Sequence, residues 1–167
     1  MDERVLITGG AGFIGLQLAK ALVAQGAQVT LVDNFSRGRN DQDLQEILHK
    51  VTLVELDLTQ PIPENALRND YTHIYHMAAV VGVHVSNQRP EFVLRTNVLA
   101  TINVLDWCSR RNPVPLCFAS TSEVYAGSVQ LGLALCQLPR AFHWPSPILV
   151  FHATRIYPAR SWGSNSV

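Results

Sequence analysis

The stretch "VLITGGAGFIG", from Val5 to Gly15, constrains the fold of this chain more than any other. It begins as a run of strand-forming apolar residues and then places four glycines within seven positions. Apolar residues recur at helical spacing over Phe13–Gln25, and Gly26 is typical of the position after a helix C-terminus. The stretch therefore predicts a strand over Arg4–Thr8, a tight turn and a helix.

The same alternation of strand and helix signals continues along the chain. Further strands are predicted at Gln28–Val32, Val51–Glu55, His73–His76 and Pro115–Ala119, and further helices at Asp41–His49, Pro61–Asn69 and Arg89–Arg111. Strands that alternate with helices are typical of parallel βαβ units with right-handed crossovers. The sequence predicts an α/β fold with a doubly wound parallel sheet.

Composition narrows the range of functions. Thirteen basic residues balance thirteen acidic ones, so no global field favours nucleic acid or an anionic membrane. No apolar run approaches the roughly 20 residues of a membrane span, and no basic region opens the chain as in a secretory signal. The three cysteines form no C-x-x-C pair, and His73 and His76 have no third ligand at metal-binding spacing. We expect a cytoplasmic protein with no metal, nucleic acid or membrane partner.

The glycine spacing points to a dinucleotide. Gly9 permits a turn that a Cβ would obstruct, Gly12 lets backbone N–H groups approach a pyrophosphate, and Gly15 lets the helix pack on the sheet. Asp33 ends the second predicted strand, where a carboxylate accepts hydrogen bonds from ribose hydroxyls and repels a 2′-phosphate. The pattern favours NAD. A tight turn without a ligand stays open as an alternative, as does NADP bound through Arg37.

Six segments in order resemble a known family. They are "VLITGGAGFIG", "VTLVDNFSRGR", "LVELDLTQ", "IYHMAAVVGV", "RTNVLATINVLD" and "LCFASTSEVYA". Over about residues 3–126 the chain resembles the extended short-chain dehydrogenase/reductases, specifically the NAD-dependent epimerase/dehydratase group that acts on nucleotide sugars. The resemblance implies a Rossmann sheet, an NAD cofactor and a nucleotide-sugar substrate, and the long helix 89–111 would pair two chains in a homodimer.

The resemblance also assigns roles to single residues. It implies that the pyrophosphate is held by Gly9, Gly12, Phe13, Ile14 and Gly15, the adenosine ribose by Asp33 and Asn34, and the adenine by Asp57 and Leu58. It also implies that Ala78 and Ala79 pass close to the cofactor and that Asn97 supports the site. Two structural alternatives stay open. Asp57 could cap the following turn, and Asn97 could be a polar group satisfied within the fold.

The catalytic residues are only partly matched. Family members oxidise a sugar hydroxyl with a tyrosine base and a lysine partner, and Thr121 would orient the substrate, with Ser122 and Glu123 as auxiliary groups. Ordinary strand-end hydroxyls are the alternative for these three residues. No lysine follows Lys50, so the Tyr-x-x-x-Lys pair is missing, and Pro158 disfavours a helix through Tyr157 and Arg160.

The last part of the chain reads differently from the rest. From residue 127 it carries little periodicity, and its final 31 letters contain no acid. We interpret residues 1–126 as the NAD-binding domain and 127–167 as a divergent tail, with a frameshift as one hypothesis. The prediction is a truncated Rossmann domain of an epimerase, dehydratase or decarboxylase, lacking the C-terminal substrate domain and impaired in catalysis. A non-catalytic NAD-binding or protein-interaction module is the alternative.

Overall fold

Five parallel strands and one antiparallel strand form a single sheet. The computed structural model describes residues 3–37, 42–111 and 114–120, together with the backbone of 151–154. The sheet order is β3-β2-β1-β4-β5-β6, and only β6 runs antiparallel to its neighbour. The strands are Arg4–Thr8 (β1), Gln28–Asp33 (β2), Val51–Glu55 (β3), His73–His76 (β4), Leu116–Ala119 (β5) and Phe151–Thr154 (β6). The helices are Phe13–Ala24 (α1), Gln42–Leu48 (α2), Val83–Gln88 (α3) and Pro90–Ser109 (α4). This order confirms the predicted doubly wound Rossmann sheet.

The strand order creates a crevice between β1 and β4. The chain leaves β1 toward β2 on one side and later returns to add β4 on the other side. In open α/β sheets, ligands bind outside the carboxyl ends of the strands at such a reversal of strand order. The fold therefore places the loops after β1 and β4 on either side of one cleft.

The core has one layer on each face of the sheet. On one face Leu6 and Ile74 pack with Val104 and Trp107 of α4, and each of these four side chains is at most 2% exposed. On the other face a second cluster includes Val5, Ile7, Leu16, Ala19 and Leu31. Because β1 is buried on both faces, its three central residues, Val5, Leu6 and Ile7, are all apolar, as in other parallel sheets.

Helix α4 confirms the longest predicted helix and most of its buried face. It begins with Pro90 at its first position, where the missing N–H costs nothing, and ends at Ser109. Ala100, Val104 and Trp107 are buried, as the spacing predicts. Phe92 was expected on the same face, but it is 37% exposed because the first turn of α4 reaches past the sheet to the cleft.

The connections differ from the sequence prediction at two places, one where a predicted helix is wrong and one where a helix was not predicted. Residues 61–69 form turns, not a helix, because Pro61 and Pro63 remove two backbone donors within three positions. Ile62 and Leu67 nevertheless reach the core, so burial holds this segment in place. Conversely, α3 was not expected, since Val83–Gln88 shows no apolar periodicity and buries no side chain.

Strand β6 lies in the part of the chain where the sequence predicted little regular structure. Its backbone pairs with β5 in antiparallel register, with Ala153 opposite Cys117 and His152 opposite Phe118. It therefore covers the edge that β5 would otherwise expose. Across the described ranges, none of the helices is both long and apolar enough to span a membrane.

Candidate cofactor site

A cleft of about 430 Å³ lies at the carboxyl ends of β1 to β4. Most of the residues assigned to the cofactor by resemblance line it: Gly9, Gly12, Asp33, Asn34, Asp57, Leu58, Ala78, Ala79 and Asn97. Residues from four loops and from α4 thus meet at one place.

The glycines are required by the backbone of the loop after β1. Gly9 has a φ of +67°, and a Cβ there would lie 2.7 Å from Ala78 Cα. A Cβ on Gly15 would overlap the carbonyl oxygen of Gly9. Gly12 is the N-cap of α1 and makes no side-chain cap hydrogen bond. The first turn of α1 therefore presents backbone N–H groups and a partial positive charge that suit an anion.

The Asp33 side chain fixes the glycine-rich loop. Its Oδ2 accepts a hydrogen bond from the Ala11 N–H at 2.9 Å, and its Oδ1 accepts one from the Phe35 N–H at 2.8 Å. The residue is 9% exposed. Each oxygen retains lone-pair capacity, so the carboxylate can also accept hydrogen bonds from a ligand. The sequence indicated a ligand role for Asp33 but not this structural one.

The loop after β3 is held from two sides. The Asp57 carboxylate accepts a hydrogen bond from the Thr59 N–H at 2.9 Å, so the turn-capping contact considered from the sequence is present. Asn103 Nδ2 of α4 donates to the Leu58 carbonyl at 2.8 Å. Leu58 itself is buried. Helix α4 therefore holds this wall of the cleft in position through Asn103. The sequence placed Asn103 on the broad face of the helix but indicated no role for it.

Asn97 grips the loop after β4. Its Oδ1 accepts from the Val80 N–H at 2.7 Å, and its Nδ2 donates to the Val80 carbonyl at 3.0 Å. The amide is thus satisfied within the fold, which was the structural alternative. Because Asn97 and Val80 both line the cleft, the same contact shapes the site.

Arg37 reaches across the mouth of the cleft. Its guanidinium donates a hydrogen bond to the Val81 carbonyl, which joins the loop after β2 to the loop after β4. Both Arg37 and Arg95 line the cleft. The sequence indicated Arg37 only as a candidate for binding a 2′-phosphate. Its contact with Val81 could not be predicted, because the two residues are 44 positions apart and no local pattern marks such a pair.

Other predicted site residues lie elsewhere. Phe13 is 86% exposed and Ile14 is 38% exposed at the start of α1, while Gly15 is buried between α1 and the loop. Phe13 is the first residue of α1 and, unlike Leu16 and Ala19 at the same helical spacing, does not pack into the core. Thr121, Ser122 and Glu123 lie outside the described residues, as do Tyr157 and Arg160.

The titratable groups near the cleft show one large effect. Burial alone lowers the pKa of His76, at the end of β4, from 6.5 to about 4. The ring is therefore neutral at pH 7. In the parts of the chain that the structure describes, no cluster of three or more His, Cys, Asp or Glu side chains is arranged to hold a metal ion.

Comparisons with known proteins agree with this architecture. The sequence profile of the NAD dependent epimerase/dehydratase family matches residues 5–134, which extends past residue 126. The chain is 36% identical over 125 residues to a UDP-N-acetyl-alpha-D-glucosaminuronate decarboxylase of Bacillus cytotoxicus, a match that covers 75% of this chain and 38% of the relative.

Solved structures give the same result. A NAD-dependent NDP-hexosamine 5,6-dehydratase of tunicamycin biosynthesis superposes with a TM-score of 0.63 at 34% identity, covering 74% of this chain and 39% of that one. The UDP-glucose 4-epimerase of Bifidobacterium longum, solved with NAD+ and UDP, gives a TM-score of 0.64 at 26% identity, covering 73% and 38%. The chain thus spans well under half the length of these relatives.

Proposed function

Because the chain belongs to the NAD-dependent epimerase/dehydratase family, we propose that its described residues form the NAD-binding part of an enzyme that modifies nucleotide sugars. One observation carries this proposal. The glycine turn, the uncapped start of α1 and the Asp33 carboxylate converge at a single cleft. Each suits a different part of a dinucleotide, namely the close approach of a pyrophosphate, its negative charge and a ribose diol.

The residues present fit this cofactor. A Cβ at Gly9 would collide with the Ala78 backbone, which would displace the loop where a phosphate must approach. We assign the pyrophosphate to Gly9, Gly12, Phe13, Ile14 and Gly15, the ribose to Asp33 and Asn34, and the adenine to Asp57 and Leu58. Ala78, Ala79 and Asn97 form the remaining wall. All of these residues except Phe13, Ile14 and Gly15 line the same cleft, which supports their assignment.

NAD is favoured over NADP by charge and by the position of Arg37. The Asp33 carboxylate would repel a 2′-phosphate. The Arg37 guanidinium, the cation considered for that phosphate, already donates to the Val81 carbonyl across the cleft. This contact occupies one of the guanidinium nitrogens that would otherwise be available to a 2′-phosphate.

When bound, NAD supplies a hydride acceptor for a sugar hydroxyl. Thr121 would orient that hydroxyl, and Ser122 and Glu123 would add polar contacts. The 167 residues contain no Tyr-x-x-x-Lys pair, because no lysine follows Lys50. We therefore expect this chain to bind NAD and to show impaired turnover with nucleotide sugars. The cytoplasmic location remains a prediction from the sequence alone.

A homodimer through α4 is a further part of this proposal. Leu94, Val98 and Ile102 recur every four residues on one side of α4 and are 67%, 45% and 45% exposed. An apolar stripe of this kind on a long helix suits a second copy of the same helix. Sedimentation velocity should show a dimer that Val98→Glu dissociates, while Val83→Glu, at an exposed position of α3, leaves it intact.

A thermal shift experiment tests the cofactor proposal. In Asp33→Asn, the backbone N–H of either Ala11 or Phe35 would face the side-chain NH₂ group in place of a carboxylate oxygen. We expect saturating NAD to raise the melting temperature of the unmodified chain and of Asp43→Asn, whose carboxylate pairs with Lys20 outside the cleft. The shift should be lost in Asp33→Asn. An equal shift in both variants would contradict the assignment.

A further inference from the structure

His76 connects strand β1 to helix α4 through two hydrogen bonds. The residue ends β4 and is 3% exposed. Its Nδ1 lies 2.7 Å from Thr8 Oγ1 of β1, and its Nε2 lies 3.3 Å from Thr101 Oγ1 of α4. The third neighbour is apolar, since the ring of Phe118 of β5 lies 5.7 Å away. No charged group among these neighbours balances a charge on the imidazole, and burial is the sole cause of its lowered pKa.

The direction of each hydrogen bond follows from its neighbours. Thr101 Oγ1 donates its hydrogen to the Asn97 carbonyl at 2.8 Å, so it must accept from His76 Nε2. At the other end, Thr8 Oγ1 accepts from the Ala78 N–H at 3.3 Å and is free to donate its hydrogen to His76 Nδ1. A neutral imidazole with the proton on Nε2 satisfies both ends and uses the hydrogen of each threonine hydroxyl.

Both ends of this hydrogen-bond chain lead to the loop after β4, one directly and one through Asn97. Thr8 binds the backbone of Ala78 directly and immediately precedes the turn at Gly9. Thr101 binds the carbonyl of Asn97, whose side chain makes two hydrogen bonds to Val80. Residues 78–80 line the cleft. The imidazole thus bonds to β1 on one side and to α4 on the other, and each of these elements contacts this loop.

We propose that His76 is a positioning residue for the cofactor, acting in its neutral Nε2–H form through Thr8 and Thr101 on the loop 78–80. This inference rests on the proposed NAD site. His76 does not line the cleft, so its effect is on the shape of the wall. A residue that only filled the core would be replaceable by phenylalanine, whereas a positioning residue needs both ring nitrogens.

The tautomer can be measured without any cofactor. A long-range ¹H–¹⁵N spectrum of the histidine rings at pH 7, assigned by difference from His76→Phe, should show the Nε2–H form for His76. The signal should not titrate between pH 7 and pH 5. The Nδ1–H form, or an ordinary titration in this range, would overturn the proposal whether or not NAD binds.

Affinity for NAD tests the positioning role. We expect His76→Phe to weaken NAD binding about tenfold, as for loss of one net hydrogen bond. Thr101→Val should weaken it several-fold and Thr101→Ser should restore it, because serine keeps the hydroxyl. If His76→Phe does not fold, the NAD affinities of Thr101→Val and Thr101→Ser test the positioning role by themselves.

Equal affinities for NAD in unmodified chain, His76→Phe and Thr101→Val, with native circular dichroism, would refute the positioning role alone. Absence of NAD binding by the unmodified chain would instead refute the proposed function and, with it, this role.

Discussion

The neutral His76 makes the stability of the fold depend on pH. In the folded chain burial lowers its pKa to about 4, whereas the exposed imidazole of the unfolded chain has its ordinary value of 6.5. Between these values the unfolded state binds more protons than the folded state, so the free energy of unfolding falls as the pH falls. Above pH 6.5 the effect vanishes, since the ring is neutral in both states.

The size of the effect follows from the two pKa values. Linkage gives a loss of about 2 kcal/mol by pH 5 and about 3 kcal/mol by pH 4, approaching a limit of about 3.4 kcal/mol. For a domain of this size, such a loss is a large fraction of the whole free energy of unfolding.

Urea unfolding at pH 7, 6, 5 and 4 measures this loss in the free energy of unfolding, with His76→Gln as the control. Glutamine keeps a polar side chain at the site but does not titrate, while the other five histidines are present in both proteins. The unmodified chain should lose about 2 kcal/mol more than the variant between pH 7 and pH 5. Parallel stability curves for the two proteins would refute the reasoning that His76 is buried in its neutral form.

Three further predictions concern other parts of the site. Gly15→Ala should lower the free energy of unfolding by about 1–3 kcal/mol and weaken NAD binding, because its Cβ would meet the Gly9 carbonyl. The control Gly26→Ala, at a residue with φ of +87° and open space around it, should lower the free energy of unfolding by about 1 kcal/mol and leave NAD binding unchanged. Urea unfolding and NAD titration of both variants distinguish the two effects. Asn103→Ala should cost about 1 kcal/mol through loss of the bond to the Leu58 carbonyl and should weaken NAD binding, whereas unchanged binding would show that this wall does not touch the cofactor. The Cys108 thiol, whose pKa burial raises to about 11, should react with iodoacetamide at pH 8 far more slowly in the folded chain than in urea, as peptide mass spectrometry would show; equal rates would contradict its burial.

The elements that follow local patterns could be predicted from the sequence. The apolar runs of β1 to β5 and the periodicity of α4 identify strands and helices because burial on a sheet or on a helix face needs that spacing. The helix predicted at residues 61–69 does not form, since one proline suits the start of a helix but two within three positions do not. Strand β6 has no comparable pattern, and its register is set by pairing with β5.

Part of the lining of the cleft could be predicted from the sequence for the same physical reason. Glycine spacing and a strand-end carboxylate are local features, and Gly9, Gly12 and Asp33 do line one cleft. The contacts that shape the cleft join distant residues. Thr8 and His76 are 68 positions apart, and His76 and Thr101 are 25 apart. No local pattern marks such pairs, because they depend on how the completed sheet brings β1, β4 and α4 together.

Calorimetric titration of the purified chain with NAD and, separately, with NADP tests the central claim most directly. The account predicts saturable binding of NAD at one site per chain, with markedly weaker binding of NADP because of the Asp33 carboxylate. No binding of either dinucleotide, or tighter binding of NADP than of NAD, would contradict it.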